Sequence, residues 1–72
     1  MSTDFTLLNT IAFEYGISFF DFDNVITDDK DRVTSAHILT YKTPLKEYVE
    51  RILKVRIAYN EDNDPLYSAY YE

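Results

Sequence analysis

Apolar positions near the N-terminus recur at helical spacing. Residues 4–15 place their large apolar side chains on one face, and a Thr3-Asp4 cap signal and Gly16 bound the segment. We therefore expect a helix at about residues 4–15, with an irregular or strand start as the alternative. The shared face comprises Phe5, Leu8, Ile11, Ala12 and Tyr15.

The next two segments alternate with a period of two, which is typical of half-buried strands. Residues 18–27 and residues 32–42 form such runs, and the polar residues 28–31 between them indicate a turn. The sequence therefore predicts an antiparallel β-hairpin. In its first strand, Phe20, Phe22, Asn24 and Ile26 should share one face, and Phe19, Asp21, Asp23 and Val25 the other.

Thr43-Pro44 is a typical helix start, and the residues after it show helical spacing. The pattern predicts an amphipathic helix at about residues 44–56. Two ion pairs along the helix would support it, Glu47 with Arg51 and Glu50 with Lys54. In each pair the residues are four positions apart and the acidic residue comes first, which is the favourable orientation. The apolar stripe comprises Leu45, Tyr48, Val49, Ile52 and Leu53. Residues 55–59 also alternate, so the chain could leave the helix there as a strand, and residues 65–72 fit either a strand or a short helix.

These elements define a small α+β protein with one domain at residues 1–72. The predicted hairpin packs with the helix at 44–56, the N-terminal helix and the C-terminal strand or short helix. A chain of 72 residues is short, and such domains bury only about 60% of the surface that the unfolded chain exposes. Association between copies would add stability, so a homodimer is one expectation.

The amino-acid composition excludes several kinds of site and indicates where the protein is located. The chain has no Cys and one His, so disulfides and Cys or His metal clusters are excluded, and no metal or other cofactor is expected. No segment approaches the ~20 apolar residues of a membrane span. The acidic N-terminal residues do not resemble a signal peptide. We therefore expect an intracellular, cytoplasmic protein that does not enter a membrane.

Charge is distributed unevenly along the chain. The formal net charge is −6, yet all seven basic residues lie within residues 30–56, so both ends of the chain are acidic. Twelve aromatic residues, seven of them Tyr, supply amphipathic contact area. This pattern predicts an acidic, tyrosine-bearing surface that binds a protein partner with a basic surface. The candidate partner-binding residues are Asp21, Asp23, Asp28, Asp29, Glu61, Asp62, Asp64, Tyr67, Tyr70 and Tyr71.

The segment Phe19-Phe20-Asp21-Phe22-Asp23-Asn24-Val25-Ile26-Thr27 resembles the first motif of haloacid-dehalogenase-like phosphatases. The resemblance implies that Asp21 would be the nucleophile and Asp23 a general acid or base beside Mg²⁺. That family also needs further motifs on a parallel sheet, and a parallel connection takes a dozen or more residues. Here the next strand follows after a short turn, so the phosphatase is only a remote alternative, and we expect no enzyme.

Direct nucleic-acid binding is disfavoured, because the basic excess around residues 42–56 is small and the C-terminal tyrosines lie among acids. In composition the chain is similar to small acidic proteins of phages and mobile elements. Some of these block restriction or CRISPR enzymes by mimicking nucleic acid, so the partner could be a nucleic-acid-binding enzyme. The expected function is therefore a protein inhibitor or adaptor. The alternative is a structural or assembly subunit whose C-terminal strand pairs between copies.

Overall fold

A computed structural model describes residues 4–72 and shows an α+β fold. Within these residues one helix, α1 (Thr6–Glu14), precedes four strands, β1 (Phe19–Thr27), β2 (Val33–Tyr41), β3 (Val49–Tyr59) and β4 (Pro65–Tyr71). The strands form one antiparallel sheet in the order β1-β2-β3-β4. The predicted hairpin is therefore confirmed, and β1 and β4 form the two edges of the sheet.

Helix α1 lies within the predicted range of 4–15, and local hydrogen bonds define its ends. The Asp4 carboxylate accepts from the backbone N–H and the hydroxyl of Thr6, at 2.9 and 2.6 Å. At the other end, Gly16 has a φ of +70°. The N–H groups of Gly16 and Ile17 donate to the carbonyls of Phe13 and Ala12. This is a Schellman motif, in which glycine supplies the left-handed residue that ends the helix. Thr3 of the predicted cap lies outside the described residues.

The hydrophobic core lies between α1 and one face of the sheet. The fully buried large side chains are Leu8 and Ile11 of α1, Ile38 of β2 and Leu53 of β3. Within residues 4–72 no second layer covers the other face of the sheet, which we call the open face. Every second residue of the two central strands points towards it, including Ser35, His37, Lys54 and Arg56.

Strand β1 contains a bulge, so the prediction of which side chains share a face is wrong for the residues after Asp23. Asp23 pairs with His37 but Ile26 pairs with Ser35, so β1 contains one extra residue there. Asn24 takes a positive φ of 48°, which asparagine tolerates better than most residues. The alternation changes phase as a result. Val25 packs against the core, and Ile26, which was predicted on the same face as Phe20 and Phe22, is 58% exposed.

The helix predicted at residues 44–56 is wrong, because residues 49–59 form strand β3. Leu53, Val55 and Ile57 are buried at alternate positions, and β2 and β4 satisfy the backbone on both sides. The branched residues of this segment favour that setting. Glu50 and Lys54 of the predicted helical pair have other partners. Glu50 lies 3.7 Å from Lys42 across the β2–β3 loop, and Lys54 lies 3.3 Å from Glu72.

The Thr43-Pro44 signal belongs to a turn. The Lys46 N–H donates to the Thr43 carbonyl at 3.2 Å, so Pro44 takes the second position of a four-residue turn, which suits its fixed φ. Leu45 and Tyr48 of the predicted helical stripe are 74% and 84% exposed. Residues 65–71 form β4, which decides between the two predicted alternatives in favour of the strand.

Candidate functional site

The β1–β2 turn and the β3–β4 turn lie side by side at one end of the sheet. An Arg32 guanidinium nitrogen donates to the side-chain carbonyl of Asn63, which joins the two turns. Residues 28–32 and 60–64 together carry six acidic side chains against two basic ones, a formal charge of −4. We call these two segments the acidic end. Five of the predicted partner-binding residues meet there: Asp28, Asp29, Glu61, Asp62 and Asp64.

The β1–β2 turn is built around the carboxylate of Asp28. Its Oδ1 accepts from the backbone N–H groups of Lys30 and Arg32, both at 2.9 Å. Its Oδ2 accepts from Nε of Arg32 at 2.9 Å and lies 2.8 Å from the second guanidinium nitrogen. These donors, with the Arg32 backbone N–H foremost, hold the pKa of Asp28 below its usual 3.8. Asp28 therefore organises the turn, and it is already paired within the chain.

Asn60 organises the β3–β4 turn in the same way. Its side-chain carbonyl accepts from the N–H groups of Asp62 and Asp64, at 3.0 and 2.9 Å. Asn63 adopts a φ of +66°, a conformation that asparagine tolerates. Both acidic turns are therefore closed by a short polar side chain that binds backbone N–H groups two and four residues later. This pattern preorganises the carboxylates that the turns carry.

Arg32 and Tyr59 form the base of the acidic end. The guanidinium carbon of Arg32 lies 4.3 Å from the centroid of the Tyr59 ring, which is within cation–π range. The Tyr59 hydroxyl donates to the Val33 carbonyl at 2.9 Å, and burial raises the pKa of the phenol above its ordinary value. An open cleft of about 640 Å³ lies between the turns. Its lining consists of Lys30, Arg32, Tyr59, Asn60, Glu61 and Asn63.

Four carboxylates at the acidic end have no partner among the described residues. They belong to Asp29, Glu61, Asp62 and Asp64, all of which are exposed. Because the turns are held by Asp28, Asn60 and Arg32, these four groups project from a fixed backbone. Such an arrangement can bind a cationic side chain of another molecule with little loss of backbone entropy on binding.

Asp21 and Asp23 lie away from the acidic end. Both are in the middle of the edge strand β1. Asp21 accepts from the Lys46 ammonium at 2.9 Å and from the Tyr41 hydroxyl at 3.1 Å, and the Lys46 hydrogen bond contributes most to lowering its pKa. Asp23 accepts from the N–H of Asn24 at 2.9 Å. The pair implied by the phosphatase resemblance therefore stands within an antiparallel hairpin, where one carboxylate is held in an ion pair.

The three predicted tyrosines lie on β4, at the sheet edge opposite β1, and they point in two directions. Tyr67 and Tyr71 point towards the helix. The Tyr67 hydroxyl donates to Glu14 at 2.8 Å, and Tyr71 lies edge-on to Tyr15 with 6.2 Å between centroids. Tyr70 is 63% exposed on the open face. The fold thus does not join these tyrosines with Asp21 and Asp23 in one surface.

Sequence reasoning missed Arg32, Asn60 and Asn63, which organise the acidic end. The spacing of two and four residues after Asp28 and Asn60 was visible as a turn signal, but the contact between the turns depends on the sheet order. It also missed a small cavity of about 150 Å³ on the open face, lined by Ser35, His37, Lys54, Val55, Arg56 and Tyr70.

Comparison with known protein families, with curated proteins and with solved structures finds no match to this chain. Among residues 4–72, no helix has the length and apolar character that crossing a bilayer requires. In the same part of the chain, no three or more acidic or histidine side chains cluster closely enough to hold a metal ion.

Proposed function

We propose that this protein is a small binding module, an inhibitor or adaptor, that docks its acidic end on a basic surface of another protein. The observation that carries the proposal is the separation of charge along the molecule. The two turns at the acidic end hold a formal charge of −4, whereas residues 42–48, the β2–β3 loop at the opposite end of the sheet, hold two lysines and one glutamate.

The geometry of the acidic end supports this function. Hydrogen bonds inside each turn fix the backbone, and the Arg32–Asn63 contact fixes one turn against the other. A preorganised set of charges loses less entropy on binding than a flexible one, and it raises the association rate by electrostatic steering. The four carboxylates without a partner in the described chain supply the charge that a basic surface would neutralise.

Nucleic-acid-binding enzymes are the class of partner that this surface fits best. Their binding sites are shaped to neutralise phosphates, and duplex DNA carries one charge per ~1.7 Å of helix axis. Adjacent strands are about 4.8 Å apart, so the two turns hold their carboxylates within roughly 10–15 Å of one another. The acidic end would therefore imitate a short stretch of phosphate backbone, and duplex DNA should compete with the protein for such a partner.

The test compares two variants with the same change in net charge. One neutralises the acidic end, with Asp29→Asn, Glu61→Gln and Asp62→Asn. The control neutralises three acids elsewhere, with Asp23→Asn, Glu47→Gln and Glu50→Gln. A pull-down from the native host with wild-type protein identifies the retained partner, and the affinity of that partner for each variant is then measured at low and high salt.

We expect the acidic-end variant to bind roughly 3- to 150-fold more weakly than wild type, because it loses three exposed ion pairs. The control should bind nearly as tightly as wild type, and wild-type affinity should fall as salt increases. Equal affinities of the two variants, or an affinity that is flat with ionic strength, would refute a function led by the acidic end.

A further inference from the structure

The two edges of the sheet differ in their capacity to accept another strand. Edge strand β1 is interrupted by the bulge at Asn24 and carries Asp21 and Asp23. Charges, bulges and prolines are devices that protect an edge from pairing. Edge strand β4 has no charge and no bulge, because its sequence Pro-Leu-Tyr-Ser-Ala-Tyr-Tyr is uncharged and its register with β3 is unbroken from Pro65 to Tyr71, and its proline stands at its first residue.

Two hydrogen bonds show which backbone groups of β4 face outwards. The N–H of Asn60 donates to the Asp64 carbonyl, and the N–H of Glu72 donates to the Ile52 carbonyl. Residues 64 and 72 therefore point their backbone groups towards β3. In an antiparallel ladder this direction alternates along the strand. The N–H and carbonyl groups of Tyr67, Ala69 and Tyr71 consequently point away from the sheet, towards its free edge.

Other features of the edge fit this assignment. By the same alternation, the backbone nitrogen of Pro65 points away from the sheet. A strand tolerates proline at such a position, because no hydrogen bond to the neighbouring strand is lost there. The Tyr15 hydroxyl lies 3.5 Å from the Ala69 carbonyl oxygen. That distance is at the limit of a hydrogen bond, and the carbonyl keeps a second lone pair for another donor. The edge is therefore available for pairing over three outward residues.

We propose that β4 pairs with β4 of a second copy of this chain, antiparallel and with the two-fold axis at Ala69. In this register Ala69 faces Ala69 of the second copy, and Tyr67 faces Tyr71. Each outward residue then donates one hydrogen bond and accepts one, giving six across the interface. The two four-stranded sheets would merge into one continuous sheet of eight strands.

The self-complementary arrangement is what favours a second copy over another partner. The three outward residues form a palindrome about Ala69, with an aromatic residue on either side, and aromatic cross-strand pairs stabilise sheets. Antiparallel pairing also directs the two acidic ends away from each other, so the largest like charges of the two copies are kept apart. The pairing uses no residue of the acidic end and is independent of the function proposed above.

The register makes a specific test possible on the open face. Ser68 and Tyr70 are exposed. In the proposed dimer, Ser68 of each copy would lie opposite Tyr70 of the other copy. Ser68→Lys with Tyr70→Lys places like charges in direct opposition, whereas Ser68→Lys with Tyr70→Glu places opposite charges there. Ile26→Lys adds a charge to the other edge of the sheet and serves as the control. Circular dichroism verifies that each variant is folded.

Sedimentation velocity from micromolar to millimolar protein measures the association. We expect wild type, the control and the Lys/Glu variant to dimerise. The Lys/Lys variant should remain monomeric at concentrations at least tenfold above those at which wild type dimerises. Ala69→Pro, which removes an outward N–H but no bond to β3, should also abolish the dimer. A wild type that stays monomeric throughout, or a dimer that the folded Lys/Lys variant retains, would overturn the proposal.

Discussion

Two leucines of one sequence pattern provide the sharpest test of the fold. Leu45 and Leu53 both belong to the apolar stripe of the helix that the sequence predicts at residues 44–56. In the structure Leu53 is fully buried on β3, beside Ile38 of β2 and Tyr71 of β4, whereas Leu45 is 74% exposed in the β2–β3 loop. The same substitution, Leu to Ala, should therefore have very different effects at the two positions.

The expected magnitudes follow from burial. Truncating a fully buried leucine costs about 2–5 kcal/mol, because it removes buried apolar surface and leaves a cavity. A domain of this length has a total stability of about 4–11 kcal/mol. Leu53→Ala should thus remove a large part of the free energy of unfolding and lower Tm by roughly 8–40 °C. Leu45→Ala should change the free energy of unfolding by no more than about 0.5 kcal/mol.

Urea unfolding followed by circular dichroism measures both variants, and thermal unfolding gives the change in Tm. If β3 were a helix, both leucines would be buried and both substitutions would be costly. Comparable losses for Leu45→Ala and Leu53→Ala would therefore refute the strand assignment. A loss below about 1 kcal/mol for Leu53→Ala would refute the placement of the core between α1 and the two central strands.

Three further predictions concern the turns, a tyrosine and the helix end. The pKa of Asp28 is lowered in the folded state, so its contribution is present above pH 3.8 and is lost as the pH falls through the folded pKa. Asp28→Asn should therefore lower the urea midpoint near neutral pH and make it less sensitive to acid, whereas the control Asp29→Asn should retain the wild-type profile. The hydrogen bond to Glu14 raises the pKa of Tyr67, so the difference between the alkaline absorbance titrations of wild type and Tyr67→Phe should show a phenol that ionises above pH 10.0. A difference curve centred below that pH would contradict this contact. Gly16 has a φ of +70° and open space around its Cβ position. Gly16→Ala should therefore cost about 1–2 kcal/mol in urea unfolding, from backbone strain alone, and Gly16→Asn should cost less.

The sequence predicted those elements whose signals are local. Alternating residues on either side of a polar turn were sufficient for the β1–β2 hairpin, and a left-handed glycine after an apolar helical face was sufficient for the end of α1. The face of the sheet to which the side chains of β1 point after Asp23 could not be predicted from local signals. A bulge inserts one residue into a strand without changing composition, and only the register against β2 reveals it.

The error at residues 44–56 has a different cause. Leu45, Tyr48, Val49, Ile52 and Leu53 match a helical stripe, but Leu53, Val55 and Ile57 match a strand equally well. Propensity and periodicity were both ambiguous in this segment, so the choice depended on what surrounds it. Hydrogen bonds from β2 and β4 on both sides, together with the burial of one face under α1, favour the strand. Neither neighbour is visible in a local window of sequence.

For the candidate site, the sequence indicated which residues are charged but not which of them share a surface. Sequence reasoning identified the acidic residues of both turns, because Asp and Asn favour turns and carry charge. It also grouped them with Asp21, Asp23 and the C-terminal tyrosines, which the meander places on separate edges of the sheet. In an antiparallel meander, alternate turns fall at the same end, so the first and third turns meet and the second lies at the opposite end. The acidic surface is thus a consequence of the order of the strands. A third strand replaced by a helix, as the sequence suggested, would have removed the basis for bringing the two acidic turns together.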